Sequence, residues 1–407
     1  MKTKIELLSP AGDLERLKVA FTYGADAVYM AGKTLGMRAK ARNFEQEELE
    51  EGIKFAHSLG KKVYITANII ARNDDFVGME EYFKELSRIK ADGLIISDLG
   101  ILDLAKRTVP EMEIHISTQA NSTNFASVNF YKNLGASRVV LAREFSIDEI
   151  NEISIKSPGI ELETFVHGAM CMSYSGRCVI SNYMNGRDAN RGNCSQPCRW
   201  KYSLLEEKSG DIFPVYEDET GTYIFSSKDL CMIEHIKPLV EAGVSSFKIE
   251  GRMKTAYYVA IVTKTYRQAI DDYLKDPELY KSNIPNYVKE LGKISHREYT
   301  TGFYFGQIKG SDHNYDGDSQ AKMQDFLAFI LGYDDTTGLA CIEQRNKFVV
   351  GDKIEIVRAN GENFTQEVTH LYDENGKSVN SAPHPLQKLK IKLLCPVQKY
   401  DMIRKLT

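Results

Sequence analysis

One joint recurs along the first three quarters of the 407-residue chain: a helical stretch ending at Gly or Ala runs at once into a short apolar segment. It stands at GADAVYM (24–30), KADGLII (90–96), GASRVVL (135–141) and AGVSSFKI (242–249). A joint of this kind brings the chain back to the same end of a sheet each time, so the strands it opens run parallel and the helices are crossovers. Leu14–Tyr23, Met79–Lys90 and Phe125–Leu134 carry apolar residues near helical spacing and supply those crossovers. The expected strands are Ile5–Leu8, Ala27–Met30, Val63–Asn68, Gly93–Ser97, Glu113–Ser117, Arg138–Ala142, Glu161–Val166 and Ser246–Glu250. Eight strands with interposed helices predict an α/β fold, a (β/α)8 TIM-barrel-like domain, with an open doubly wound sheet as the competing topology.

The barrel is expected over residues 1–305, interrupted by a cysteine-rich segment at 171–231. The polar, turn-rich run GSDHNYDGDSQAK has no periodicity and marks a linker at 306–325. From 326 to 407 the segments FLAFILGY, LACIEQ, DKIEIVR, FTQEVTHLY and KLKIKLL alternate and are parted by turns, which predicts a small antiparallel β-barrel domain. Lys388, Lys390 and Lys392 share one strand face there, a solvated face first and an RNA contact second. No apolar run approaches the roughly 18 to 20 residues of a spanning helix, and the first residues lack the apolar core of a secretory signal. A cytoplasmic protein that does not meet a membrane is the expectation.

Five of the seven cysteines, Cys171, Cys178, Cys194, Cys198 and Cys231, follow the spacing C-x6-C-x15-C-x3-C-x32-C. In a reducing compartment such crowding points to a metal or redox site rather than to disulfides. Cys171 follows the seventh strand closely, at the end where barrels build their sites. A zinc ribbon uses two tight knuckles, and only Cys194 and Cys198 are that close, so the irregular spacing favours iron–sulfur ligation over structural zinc. Cys341 and Cys395 are expected to be ordinary core thiols. The net charge of −4 carries no general nucleic-acid signature, but Arg177, Arg187, Arg191, Arg199 and Lys201 are opposed only by Asp188, a local basic patch. Trp200 can stack on an unpaired base, although core packing is its commoner role.

The segment ETFVHGAMCMSYSGRCVISNYMNGRDANRGNCSQPCRWKY (163–202) closely resembles the signature of the collagenase-like peptidase family of unknown catalytic type, family 32 of that class. SPAGDLERLKVAFTYGADAVYMAG near the start and SSKDLCMIEHI with GVSSFKIEGRMKTAYYVA later match it too, so the resemblance covers roughly residues 1 to 305. The matching segments look most like the branch that forms 5-hydroxyuridine at the tRNA wobble position. Other branches are implicated in hydroxylation of ubiquinone precursors, and some members were named as proteases. The resemblance implies a 4Fe-4S cluster, prephenate as co-substrate, and tRNA as partner. The family pattern makes Cys171, Cys178, Cys194 and Cys231 the first choice of ligands, with Cys198 as the alternative.

For a peptidase, neither HExxH nor GxSxG is present, and the one route left is a Cys–His pair of His167 with Cys171. For hydroxylation, His115, Ser117 and Gln119 alternate at the fifth strand end, with Asn121 just beyond and Asn68 ending the third. His115, Gln119 and His167 are the catalytic candidates, each weighed against a hydrogen-bonded structural role. Arg143 ends the sixth strand, and Lys248, Glu250 and Arg252 alternate through FKIEGRM. These charges form either a salt-bridge ring or a binding site for a small carboxylate, to which an Arg fork is suited. The same features leave open cytidine in ribosomal RNA as the target base, and a paired subunit of the same family as partner.

Overall fold

The computed structural model describes residues 5–32, 44–171, 173–200, 203–205, 207–208, 212–214, 228–306 and 325–406. The eight parallel strands expected from the joints are all present: β1 (Glu6–Pro10), β2 (Ala27–Met30), β3 (Lys62–Ala67), β4 (Gly93–Ile96), β5 (Glu113–Ile116), β6 (Arg138–Val140), β7 (Glu161–Ala169) and, after three further strands, β11 (Ser246–Ile249). They pair in that order, and β11 pairs with both β1 and β7, so the sheet closes into a barrel. The crossovers are α1 (Leu14–Thr22), α2 (Gln46–Ser58), α3 (Met79–Arg88), α4 (Leu99–Thr108), α5 (Phe125–Asn133) and α6 (Ile147–Lys156). Local chemistry fixes their starts: Asp13, Asp98, Asn124 and Ser146 each accept a backbone N–H of the first turn.

Period-two alternation decides what fills the barrel. Leu8, Ala27, Tyr29, Tyr64 and Ile95 form one apolar cluster inside it, while Val28, Met30, Val63, Ile65, Leu94 and Ile96 belong to the outer core under the helices. Below and beside that inner cluster lies a charged layer. Arg138 Nη1 donates to Glu163 at 2.9 Å and contacts Glu6 at 2.5 Å, and Lys248 Nζ donates to Glu163 at 2.7 Å. Burial alone would raise the Glu163 carboxyl, but Lys248 and Arg138 outweigh it and hold it down to about 2.

Strand β7 runs past the barrel rim. Its outer end pairs antiparallel with β10 (Asp229–Cys231), which pairs in turn with β12 (Tyr299–Thr300). Between β7 and β10 lie α7 (Ile180–Asn185) and the short hairpin β8 (Ser203–Leu205) with β9 (Ile212–Pro214). After α8 (Ile236–Glu241) and β11, two long helices, α9 (Ala256–Lys275) and α10 (Pro277–Leu291), complete the barrel's outer wall.

The second domain is an antiparallel sheet in the order β17-β16-β22-β13-β14-β21-β18-β19. Its strands are β13 (Phe326–Asp334), β14 (Leu339–Gln344), β16 (Lys353–Val357), β17 (Phe364–Glu367), β18 (Leu371–Tyr372), β19 (Ser378–Val379), β21 (Lys388–Lys392) and β22 (Met402–Lys405), with β15 (Phe348–Val349) and β20 (Ser381–Ala382) as a separate pair. The sheet curls over its own core of Leu327, Ile330, Ile342, Ile354, Ile356 and Ile403, and among the described residues its two edges do not pair. It is a half-barrel rather than a closed one. Leu389 and Ile391 point inward, so Lys388, Lys390 and Lys392 do share the outer face. Cys341 is exposed and Cys395 only partly buried, which corrects their reading as core thiols. Cys341 lies between Ala340 and Ile342, both fully buried, and alternation turns it outward. The two domains meet where Tyr23 Oη donates to the Val357 and Tyr400 carbonyls and where Arg404 is buried between Glu290 and Glu355. The linker residues 307–324 lie outside the described residues, and among those that are described no helix is long and apolar enough to cross a membrane.

Candidate active site at the barrel mouth

Two cavities adjoin at the carboxyl ends of the strands. The outer one, about 280 Å³, is lined by Cys171, Cys178, Cys194 and Cys198 together with Gln119, Arg143, Arg187 and Glu250. The inner one, about 110 Å³, enters the barrel and is lined by Thr66, Asn68, Ser117, Gln119, Arg143, Phe165, Lys248, Glu250 and Arg252. Thr118, Gln119, Arg143 and Glu250 belong to both walls. A larger cleft, about 690 Å³, opens between α1, α9, α10 and the second domain, but it contains no cysteine. Many of its charges are already paired, Arg267 with Asp26 and Asp271 and Glu290 with Arg404.

The cysteine excursion is held to the barrel by a few polar anchors. Glu144 accepts from the Ser175 backbone N–H at 2.6 Å and from its hydroxyl at 2.7 Å, which holds Ser175 at φ 44 in the left-handed region. Arg177 Nε donates to the Gln119 carbonyl at 3.0 Å, and Asn190 Oδ1 accepts the Cys178 N–H. Arg191 grips Asp75 through two bonds of 2.6 Å, while Arg187 donates to Asn193 and to the Cys194 carbonyl. Arg191 is thus spent on structure. The Arg199 side chain and Lys201 lie outside the described residues. Trp200 is about half exposed at 47%, so the structure does not bury it in the core.

Cys171 reaches solvent at the cavity mouth, yet enough protein surrounds its sulfur that burial raises the thiol pKa. Arg143 opposes that rise, and the neighbouring Cys178 and Cys194 add to it. Cys231 is elsewhere. It stands on β10 beside His167, its sulfur 3.9 Å from Tyr266 Oη, and burial pushes its thiol up to about 12. The structure therefore places Cys198, not Cys231, with the other three thiols. Among the described residues no three His, Cys, Asp or Glu side chains converge closely enough to hold one metal ion: the four thiols share a cavity without meeting at a point.

Of the three catalytic candidates only Gln119 lines these cavities. His115 has the inward parity expected of it but lies a layer deeper, against Tyr64 at 4.4 Å between ring centroids and with Nε2 3.4 Å from Glu113. Each two-residue step along a strand is about 6.6 Å, which separates it from Ser117 at the mouth. His167 faces the opposite way. The β7–β11 register slips between Phe165 and His167, a bulge that turns the ring outward against Tyr258, Tyr266 and Tyr299. Burial there drives its pKa down to about 3, so it is neutral. Among the described residues no histidine lines the thiol cavity, and none pairs with Cys171 there.

The charges at the remaining strand ends do gather. Arg143 lies over the Phe165 ring at 3.8 Å and donates to the Ala169 carbonyl, while Arg252 Nη1 lies 3.4 Å from Thr66 Oγ1. Lys248 lines the inner cavity, but its ammonium is committed to Glu163 and lies over the Tyr29 ring at 4.6 Å. Asn68 Nδ2 donates to Ser117 Oγ at 3.2 Å. Asn121 is left-handed at φ 53 and lines neither cavity. Thr66 and Thr118 are cavity residues the sequence reading omitted; Thr66 was legible, since it stands on β3 two residues before Asn68 and shares its parity.

The family model for peptidase family U32 matches residues 12–314, and the model for that family's C-terminal domain matches 322–404. The chain is 42% identical over 402 residues to tRNA hydroxylation protein P1 of Bacillus subtilis, covering 99% of this chain and 95% of that one. It is 39% identical to tRNA hydroxylation protein P of Escherichia coli, covering 93% and 92%. A protein of Porphyromonas gingivalis named collagenase is 32% identical over 364 residues, 86% of each chain. Matched along both its barrel and its half-barrel, the chain belongs to peptidase family U32.

Proposed function

We propose that this chain carries out prephenate-dependent hydroxylation of the tRNA wobble uridine to 5-hydroxyuridine, with a 4Fe-4S cluster held in the cysteine excursion. Two relatives that match nearly its whole length are named for tRNA hydroxylation. The observation that carries the reading is that the thiol-lined cavity and the cation-lined cavity share a wall, so a redox group and a small acid would sit side by side.

Cys171, Cys178, Cys194 and Cys198 are the thiols that would hold the cluster, because they line one cavity and thiolate is the ligand such clusters take. When bound, that group supplies one-electron chemistry. Arg143 and Arg252 offer guanidinium forks to carboxylate groups, with Asn68 and Ser117 as neutral partners. Phe165 and Tyr29 line the same cavity and would pack against the apolar part of the small acid. The peptidase reading lacks an assembled nucleophile, since His167 is turned away from Cys171.

The test is nucleoside mass spectrometry of tRNA from a bacterial strain stripped of every member of this family. Expression of this chain restores wobble 5-hydroxyuridine, and a Cys171→Ser or Arg143→Ala chain does not. Absence of the modification with the wild-type chain present refutes the reading. Appearance of 5-hydroxycytidine in ribosomal RNA instead moves the target base.

A further inference from the structure

Gln119 occupies a short turn that walls both cavities, in Thr118–Ala120 just after β5. Its backbone is clamped from two sides: the Ser117 hydroxyl accepts its N–H at 3.3 Å, and its carbonyl accepts from Arg177. Its side-chain nitrogen is hemmed by Gly176, where a Cβ would stand only 2.7 Å from Nε2 and where φ is +82. Yet Oε1 of the same carboxamide is buried and has no hydrogen-bond partner. A buried acceptor left unmade is costly, and one held this firmly between two cavities is an acceptor waiting for a ligand's donor. Carboxylate and phosphodiester groups carry no donor at neutral pH and do not satisfy it, and a lone hydroxyl, such as that of a small hydroxy acid, would engage Oε1 without using the Nε2 beside it. The imide edge of uracil does, because it sets an N–H beside a carbonyl, the complement of a primary carboxamide.

We propose that Gln119 reads the imide edge of a uracil base lodged between the cavities, Oε1 accepting the N3–H and Nε2 donating to the adjacent carbonyl. This rests on the RNA reading above and names the residue that recognises the base. The base has left its stack to reach the barrel mouth, as chemistry on a nucleobase requires. Its edge then faces Gln119, with the thiols on one side and the small-acid cavity on the other.

The experiment compares the binding of two synthetic RNA stem-loops to protein purified without air. One carries a single unpaired uridine in its loop and the other 3-methyluridine, which lacks the N3–H. Wild type prefers uridine by about 10- to 100-fold, the range of one paired base contact. Gln119→Met, similar in length and without the carboxamide, binds the two RNAs equally. Gln119→Glu keeps an acceptor for N3–H but sets a second acceptor against the carbonyl, so it binds uridine more weakly than wild type and still prefers it to 3-methyluridine. Equal binding by wild type overturns the inference, as does a preference that survives in Gln119→Met. If Gln119→Met binds neither RNA, the Gln119→Glu ratio decides: a retained preference upholds the contact and a ratio near one overturns it. Wild type that binds neither RNA overturns the RNA reading itself, a result distinct from binding without discrimination.

Discussion

Lys248→Met tests whether the charged layer under the inner cavity holds the barrel together. Lys248 and Glu163 are 2.7 Å apart and both essentially buried, with side-chain exposures of 5% and 0%. At an effective dielectric of about 20 their attraction is roughly 6 kcal/mol, much of it offset by the cost of removing both ions from water. Truncating one partner of such a pair costs about 3–5 kcal/mol because the other is stranded. Here Arg138 still faces Glu163 at 2.9 Å, which puts Lys248→Met near the lower end, about 3 kcal/mol. Glu163→Gln strands Lys248 instead, since Arg138 keeps Glu6 and Glu161, and is expected to cost a similar amount. The double variant should then be little worse than either single, a coupling of about 2–3 kcal/mol. Urea unfolding at pH 7, followed by helical circular dichroism, gives all four free energies, and melting points should fall by about 3–5 °C in the singles, the shift that about 3 kcal/mol makes in a unit of this size. A loss under about 1 kcal/mol for Lys248→Met, or singles that simply add, would refute the reasoning.

Acid should act in two stages. His167, held at about 3 in the fold against 6.5 as its ordinary value, favours the folded state fully above pH 6.5. That contribution, on the order of 4 kcal/mol, drains away as pH falls from 6.5 through 3. Glu163, held at about 2 against 4.5, contributes above pH 4.5 and loses its share between 4.5 and 2. His167→Phe should therefore flatten the upper stage of a stability–pH curve and leave the lower one; an unchanged upper stage counts against neutral burial. Iron content of the five single Cys→Ser variants should collapse for Cys171, Cys178, Cys194 and Cys198 and persist for Cys231, and the reverse for the last pair would restore Cys231 as ligand. Glu144→Ala removes two bonds to a left-handed Ser175, each worth about 1.5–3 kcal/mol, so limited proteolysis within 172–200 should quicken at least tenfold. An unchanged cleavage rate would show that the anchor is redundant.

The barrel was legible because short parallel strands buried on both faces read as apolar runs, and AVYM, GLII and SFKI are buried at every position. Reading alternation and strand ends picked out Ser117, Asn68, Lys248 and Arg252, which line one cavity. It failed in two physical ways. Parity says which face a side chain takes but not its depth, so His115 had the right face and the wrong layer. Nearness in sequence misled as well: His167 stands four residues before Cys171, and a bulge that leaves no local signal turns its ring away from that thiol. The thiol grouping was beyond reach for another reason. Cys198 and Cys231 compete on spacing alone, and what separates them is the antiparallel pairing of β10 with β7, a contact between residues about sixty positions apart.

That pairing carries a consequence for how the molecule can be taken apart. Ala169, where the chain leaves the rim, lies directly beside Asp229, where it comes back. Residues 170–228 are thus a graft whose root and return share one address, and none of the eight barrel staves passes through them. A graft of that form can be exchanged as a cassette: replaced by a tight turn, it should leave a barrel that still closes, and transplanted from a relative it should bring its own thiols to an unaltered rim. The scaffold and the thiol-bearing part can then be varied separately, with Gln119, Arg143 and Glu250 as the seam they have in common.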